Sequence, residues 1–172
     1  MPDVIAFLAR RRVALGFVVA VAAVALARPT WESWWLGLAV AAAGEALRVW
    51  AAGHLEKGRE VTRSGPYRLM RHPLYVGSSV LAAGIVVAAR HPLLGVLAAL
   101  YMGATITAAI RSEEAFLRRS FGDAYDRYAR SATTPMQRRF SLARAARNRE
   151  YRAVLGLMVG FAILALKITL SI

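Results

Sequence analysis

Five runs of the chain are apolar almost throughout: residues 13–27, 34–52, 74–89, 93–110 and 153–172. Each lies near the roughly 20 residues a helix needs to cross hydrocarbon, so the pattern predicts five transmembrane helices. The first and third runs are short, and Arg10, Arg11, Arg12, Arg28 and Arg90 at their edges are expected to snorkel toward headgroups. The longer polar segments, residues 53–73 and 111–152, are too short to enclose a large core and must cap the bundle. Gly53, Gly58, Gly65 and two prolines make the first an irregular loop. The second begins helical: Pro92 suits a first helical turn, and nothing breaks the pattern before Gly122, so the fourth helix is expected to project past the membrane. Residues 123–130 then make two more turns, and Thr133, Thr134 and Pro135 loosen the chain. The arginine-rich stretch that follows, up to Arg152, is expected to lie on anionic lipid.

Composition supports the membrane reading, since 58% hydrophobic residues exceed what a soluble domain of 172 residues needs. The net charge of +13 would suit nucleic acid only if it were gathered on a soluble fold, and here it lies between apolar runs. Its alternation places the amino terminus, residues 53–73 and residues 111–152 on the cytoplasmic side, with the turns at 28–33 and 90–92 and the carboxyl terminus external. The first run lacks a small-residue cleavage pattern and is read as retained. Without cysteine the chain has no disulfide, thiolate nucleophile or thiolate metal site. No repeat of spans points to a transporter, and no Gly-x-Gly-x-x-Gly points to a Rossmann domain. Gly156 and Gly160 have the spacing that lets helices approach closely.

The chemistry concentrates in Ser64-Gly65-Pro66-Tyr67-Arg68-Leu69-Met70-Arg71-His72-Pro73-Leu74-Tyr75-Val76-Gly77, which enters an apolar run while carrying two arginines, a histidine and two tyrosines. Pro73 favours a helix start, so the backbone donors around Leu74 and Tyr75 can hold an anion. By composition alone the same residues would serve as an interfacial belt. Glu113 and Glu114 alone would pass for surface ion pairs with Arg111 and Arg118, worth about 0.3–0.5 kcal/mol. Inside the second run, Glu45 and Arg48 lie one turn apart, where ionisable groups are costly; they form either a structural ion pair or a wall of the active site. His54 is a further candidate for that wall.

The order of the run resembles the Gly-Pro-Tyr-Arg-x-x-Arg-His-Pro-x-Tyr-x-Gly signature of the isoprenylcysteine carboxyl methyltransferase and phospholipid methyltransferase superfamily. Glu113-Glu114-x-x-Leu117-x-x-x-Phe121-Gly122-x-x-Tyr125-x-x-Tyr128 is similar to that superfamily's paired-glutamate helix and following Phe-Gly-x-x-Tyr-x-x-Tyr. The resemblance implies an all-α polytopic membrane bundle with a cytoplasmic pocket for S-adenosylmethionine, released as S-adenosylhomocysteine. One methyltransferase domain is expected over 1–172, with the motif core at 62–130, and with a basic linker at 131–152 and an extra carboxyl-terminal helix at 153–172 added to what the resemblance covers.

Cofactor binding is then expected from Tyr67, Arg71, His72, Pro73, Tyr75, Gly77, Glu113, Glu114 and Tyr125. Arg111, Glu114 and His72 are expected to be catalytic, Arg111 by orienting an anionic acceptor. The acceptor is expected to be lipophilic or small and to offer a carboxylate, amine or thiol. Membrane lipids are the expected surroundings, nucleic acid is not an expected partner, and the expected location is the bacterial inner membrane. The chain departs from the superfamily's pattern after Tyr128, where a basic segment and a further helix follow. A non-catalytic membrane subunit that binds a lipid or partner is the alternative. A membrane reductase fits poorly, because sterol reductases of related architecture are much longer.

Overall fold

A computed structural model describes residues 21–131, 134 and 136–171. Most of the first predicted span, with Arg10, Arg11 and Arg12, lies outside the described residues, as do Thr133 and Pro135; residues 21–26 are helical. The other helices are α1 (Trp31–Ala52), α2 (Pro73–Ala89), α3 (Pro92–Phe121), α4 (Asp123–Ala129), α5 (Leu142–Arg147) and α6 (Tyr151–Thr169). Among the described residues there is no strand. The chain is an all-α polytopic membrane bundle.

Helices α1, α3 and α6 are long and apolar enough to cross a membrane, and α2 is a shorter apolar helix. Only 6% of the apolar window of α3 is buried against the rest of the protein. A helix so apolar and so little covered needs lipid as its solvent. Its 30 residues span about 45 Å at 1.5 Å per residue, against roughly 30 Å of hydrocarbon. The turns bearing Glu113 and Glu114 therefore stand beyond the apolar layer, and the helix ends at Gly122, whose φ of 46° suits glycine.

Thr30 caps α1: Ser33 N donates to Thr30 Oγ1 at 3.3 Å and Thr30 N donates to Ser33 Oγ at 3.0 Å. This reciprocal cap starts the helix three residues before the apolar run. Backbone contact joins α1 to α2. A Cβ on Gly37 would stand 2.5 Å from the Gly84 carbonyl oxygen, and one on Gly44 would stand 2.5 Å from Leu81 N. Both helices carry glycines seven residues apart, which lets them meet without intervening side chains.

The sequence pointed to Gly156 and Gly160 for such an approach; among the described residues neither has a neighbour within 4 Å of a built Cβ, and both face a cavity. Helix α6 is held elsewhere, where Trp34 Nε1 donates to the Phe161 carbonyl at 2.8 Å and the two rings meet edge to face. The core there is made of Ala41, Ala88, Ala89, Leu94, Phe161 and Leu164.

The stretch before Arg152 also folds back on residues 53–62, an arrangement the sequence did not suggest. Arg138 pairs with Glu60 at 2.7 Å, and Arg144 and Arg147 pair with Glu56 at 2.7 and 3.3 Å. Asn148 Nδ2 donates to the Ala52 and Leu55 carbonyls at 2.9 Å each. Together these contacts strap the loop that carries the first motif.

Candidate active site

The first motif is placed by a buried histidine. His54 is 5% exposed, its Nδ1 lies 3.1 Å from Ser64 Oγ, and a Cβ on Gly65 would strike its ring at 2.4 Å. Gly65 also has φ of 56°, so it satisfies both the backbone and the space. A 3-10 turn over Gly65–Arg68 then turns Tyr67 inward, and Tyr128 Oη donates to the Tyr67 carbonyl at 2.9 Å. His72 sits at the N-cap of α2, ahead of Pro73 in the first turn.

The two motifs meet at Glu114. His72 Nε2 lies 3.1 Å from Glu114 Oε1, and Arg71 Nη1 donates to the same oxygen at 3.4 Å. Arg118 reaches Glu114 Oε2 at 3.6 Å and Asp126 Oδ1 at 3.3 Å, tying α3 to α4. Tyr125 is buried with its hydroxyl toward this carboxylate, without a hydrogen bond of ordinary geometry. Burial, reinforced by the Glu114 charge, pushes its pKa up to about 12. Burial does the same for Tyr128, to about 12, and raises Tyr67 further, with the Glu113 charge adding to the effect. At neutral pH all three phenols keep their protons and can donate.

These residues surround a cavity of about 640 Å³. Of the residues the sequence singled out, Tyr67, Arg71, His72, Pro73, Tyr75, Glu113, Tyr125 and Arg48 line it. Glu114 stands at its edge through the bonds to His72 and Arg71. Gly77 packs against α1 instead, where a Cβ would come within 2.7 Å of Arg48 Cγ and the Gly44 carbonyl oxygen. Arg111 is exposed on α3 and does not line the cavity. His54 lies behind the wall, holding the loop. Glu45 pairs with Arg48 at 3.3 Å and faces a hollow on the far side of α1 with Ala42 and Trp50. Arg48 thus takes part both in an ion pair and in the wall.

Sequence reading missed Glu150, which pairs with Arg48 at 2.6 Å and lines the cavity. It also missed Glu56, Lys57 and Glu60 of the strapped loop. A second cavity, about 470 Å³ and almost wholly apolar, lies below between α2, α3 and α6. Arg48 lines both.

The profile of the phospholipid methyltransferase family matches residues 18–124, well over half of the chain and nearly all of both motifs. The chain belongs to the phospholipid methyltransferase family. It is 32% identical over 136 residues to the nickel-cobalt-cadmium resistance protein NccN of Alcaligenes xylosoxydans xylosoxydans, covering 72% of this chain and 63% of that protein. It is 38% identical over 92 residues to a probable protein-S-isoprenylcysteine O-methyltransferase of Oryza sativa subsp. japonica, covering 54% and 48% respectively. With the cobalt-zinc-cadmium resistance protein CzcN of Cupriavidus metallidurans it shares 30% identity over 139 residues, covering 72% and 62%. The chain therefore spans between about half and 63% of the length of these relatives. No solved structure matches it. The family match ends before Tyr125, so α5, α6 and Glu150 lie outside it.

Proposed function

We propose that this member of the phospholipid methyltransferase family transfers a methyl group from S-adenosylmethionine to a lipophilic or small acceptor at the membrane. The observation that carries this reading is the meeting of both motifs at Glu114, on the rim of a cavity of about 640 Å³ with mixed polar and aromatic walls. That volume lies within the usual range for small-molecule sites. The donor set fits the cofactor. Glu113 and Glu114 suit its ribose hydroxyls and ammonium, Arg71 and His72 suit its carboxylate, and Tyr67, Tyr125 and Tyr128 offer ring faces and protonated hydroxyls. Among the described residues the buried Tyr125 hydroxyl has no hydrogen bond of ordinary geometry and is turned toward Glu114.

S-adenosylmethionine supplies an electrophilic methyl, so the protein's task is to align the acceptor and exclude water. The glutamates and arginines fix one end of the polar cavity, and the adjoining apolar cavity suits an acceptor's hydrocarbon part. Charge distribution supports a cytoplasmic site: Arg28, Arg90 and Lys167 mark the opposite end of the bundle, and most other basic residues surround the site. Two relatives are named for metal resistance. Among the described residues no cluster of three or more His, Cys, Asp or Glu is placed to hold a metal ion, and carboxylates dispersed among arginines suit an organic ligand.

Calorimetric binding of S-adenosylhomocysteine to the detergent-purified protein tests the reading. Micromolar binding that Glu114→Ala weakens by about tenfold is expected. No binding by folded protein would leave the non-catalytic subunit as the better account.

A further inference from the structure

A hollow of about 280 Å³ lies beside the larger polar cavity. Glu60 and Val61 line both spaces, so one short stretch of loop separates them. Arg59 and Arg63 from that loop and Arg127 from α4 line the hollow, together with the apolar residues Phe121 and Met136. Met136 is tied there through its backbone N–H, which donates to the Arg63 carbonyl at 3.2 Å.

Charge in the hollow is unbalanced. Glu60, the acid in its lining, is engaged by Arg138 at 2.7 Å. Asp123 stands one turn before Arg127 on α4 but outside the lining, and Asp126 is held by Arg118 at 3.3 Å. Among the described residues no carboxylate lies within ion-pair distance of Arg59, Arg63 or Arg127. Three like charges around one hollow repel one another, and a shared anion removes that cost. Guanidinium forks from two elements suit the oxygens of a phosphate, which point to several sides, better than a planar carboxylate.

Depth decides the kind of phosphate. Arg111, the first charged residue of α3, comes about 30 Å after the helix starts at Pro92, which is roughly the hydrocarbon thickness. Phe121 ends the helix about 15 Å farther on. The headgroup layer adds only roughly 5–7 Å on each side, so the hollow stands in water beyond it. Its volume, just under the usual range for drug-sized ligands, suits a small one. We propose that this hollow binds a small soluble phosphate ester, with the phosphate held by Arg59, Arg63 and Arg127 and the apolar part resting on Phe121 and Met136. Its occupant stiffens the loop that forms the wall of the larger cavity.

The test uses the full chain in nanodiscs of neutral lipid, with phenyl phosphate, inorganic phosphate and benzoate as calorimetric probes. Phenyl phosphate is expected to bind more tightly than either of the others, and Met136→Ala is expected to narrow its lead over inorganic phosphate. Arg63→Gln and Arg127→Gln are each expected to weaken phenyl phosphate about tenfold, the loss of a charge-assisted bond. Arg139→Gln removes an exposed arginine outside the hollow and is expected to change nothing. Bound phenyl phosphate is expected to slow amide exchange across residues 59–63.

No binding, benzoate bound as tightly as phenyl phosphate, or an equal loss in Arg139→Gln would overturn the site. Displacement of phenyl phosphate by phosphatidylglycerol in the discs would make a lipid headgroup the occupant and overturn the soluble ligand. Binding that leaves exchange at residues 59–63 unaltered would overturn the effect on the wall.

Discussion

At the scale of single residues, Glu114 and His72 act as one unit. Their contact at 3.1 Å joins two segments 42 residues apart, and hydrogen bonds to charged groups contribute about 1.5–3 kcal/mol. His72→Ala is expected to weaken S-adenosylhomocysteine about tenfold, as Glu114→Ala does. Calorimetry on the double variant is expected to show a coupling of about 0.5–3 kcal/mol, because the second change removes a partner already lost. Fully additive losses would mean that the pair does not act together on the ligand. His54 carries the pH dependence: burial holds its ring below the ordinary histidine value, and the charges of Arg144 and Arg138 push the same way. The unfolded chain then binds more protons at His54 than the folded one, so stability is complete above about pH 6.5 and declines as pH falls through that value. Thermal unfolding in detergent at pH 7.5 and 5.5 is expected to show this decline, and His54→Gln is expected to flatten it. The order of the motif residues was legible without a structure, because few other reasons place Arg, His, Pro and Tyr together at the mouth of an apolar run. The work of His54 was not, since its partner Ser64 and the space left by Gly65 appear only when the loop closes.

Among elements, the contact between α1 and α2 fixes the site, because α2 begins at the His72 cap and α1 carries Arg48. Gly84→Val would drive side-chain atoms into the backbone around Ala41 N, which lies 2.4 Å from a built Cβ. Overpacking of this kind costs about 1–3 kcal/mol, and a lower unfolding midpoint with weaker S-adenosylhomocysteine binding is expected. Gly156→Ala, with open space around it, is the matched control and is expected to leave the midpoint unchanged. Spacing in the sequence marked Gly156 and Gly160 and passed over Gly37, Gly44, Gly77 and Gly84 as a packing face, because it gives a helix face and not the neighbour it meets. The strap was hidden for a related reason. In a chain with 23 basic and 10 acidic residues, nothing local marks Arg138 for Glu60 or Arg144 for Glu56. Helix starts were readable, since Pro73 and Pro92 each occupy a first turn, where a missing N–H costs nothing. Arg144→Ala removes the bond that holds the Glu56 carboxyl below its usual range. It is expected to speed amide exchange across residues 53–62, with little change in α3.

For the whole molecule, the argument turns on which end faces the cell interior. On the proposed function, S-adenosylmethionine, being charged, reaches the site only if residues 53–72 and 111–150 are cytoplasmic. The charge pattern favours the same orientation, with Arg28, Arg90 and Lys167 at the far end. In that orientation the end of α3 lies inside and α6 carries the carboxyl terminus out. The chain contains no cysteine, so each introduced thiol reports without background. Ser171→Cys and Arg130→Cys both lie at exposed positions, at opposite ends of α6 and the site. In intact spheroplasts a membrane-impermeant maleimide is expected to label Ser171→Cys promptly and to reach Arg130→Cys only after lysis. The reverse pattern would place the site outside, away from its cofactor, and would overturn the positive-inside reading and the methyltransferase proposal together. Labelling of both thiols before lysis would mean that the α6 segment does not cross, and the apolar cavity between α2, α3 and α6 would then lose the lipid boundary on which its use as an acceptor site depends.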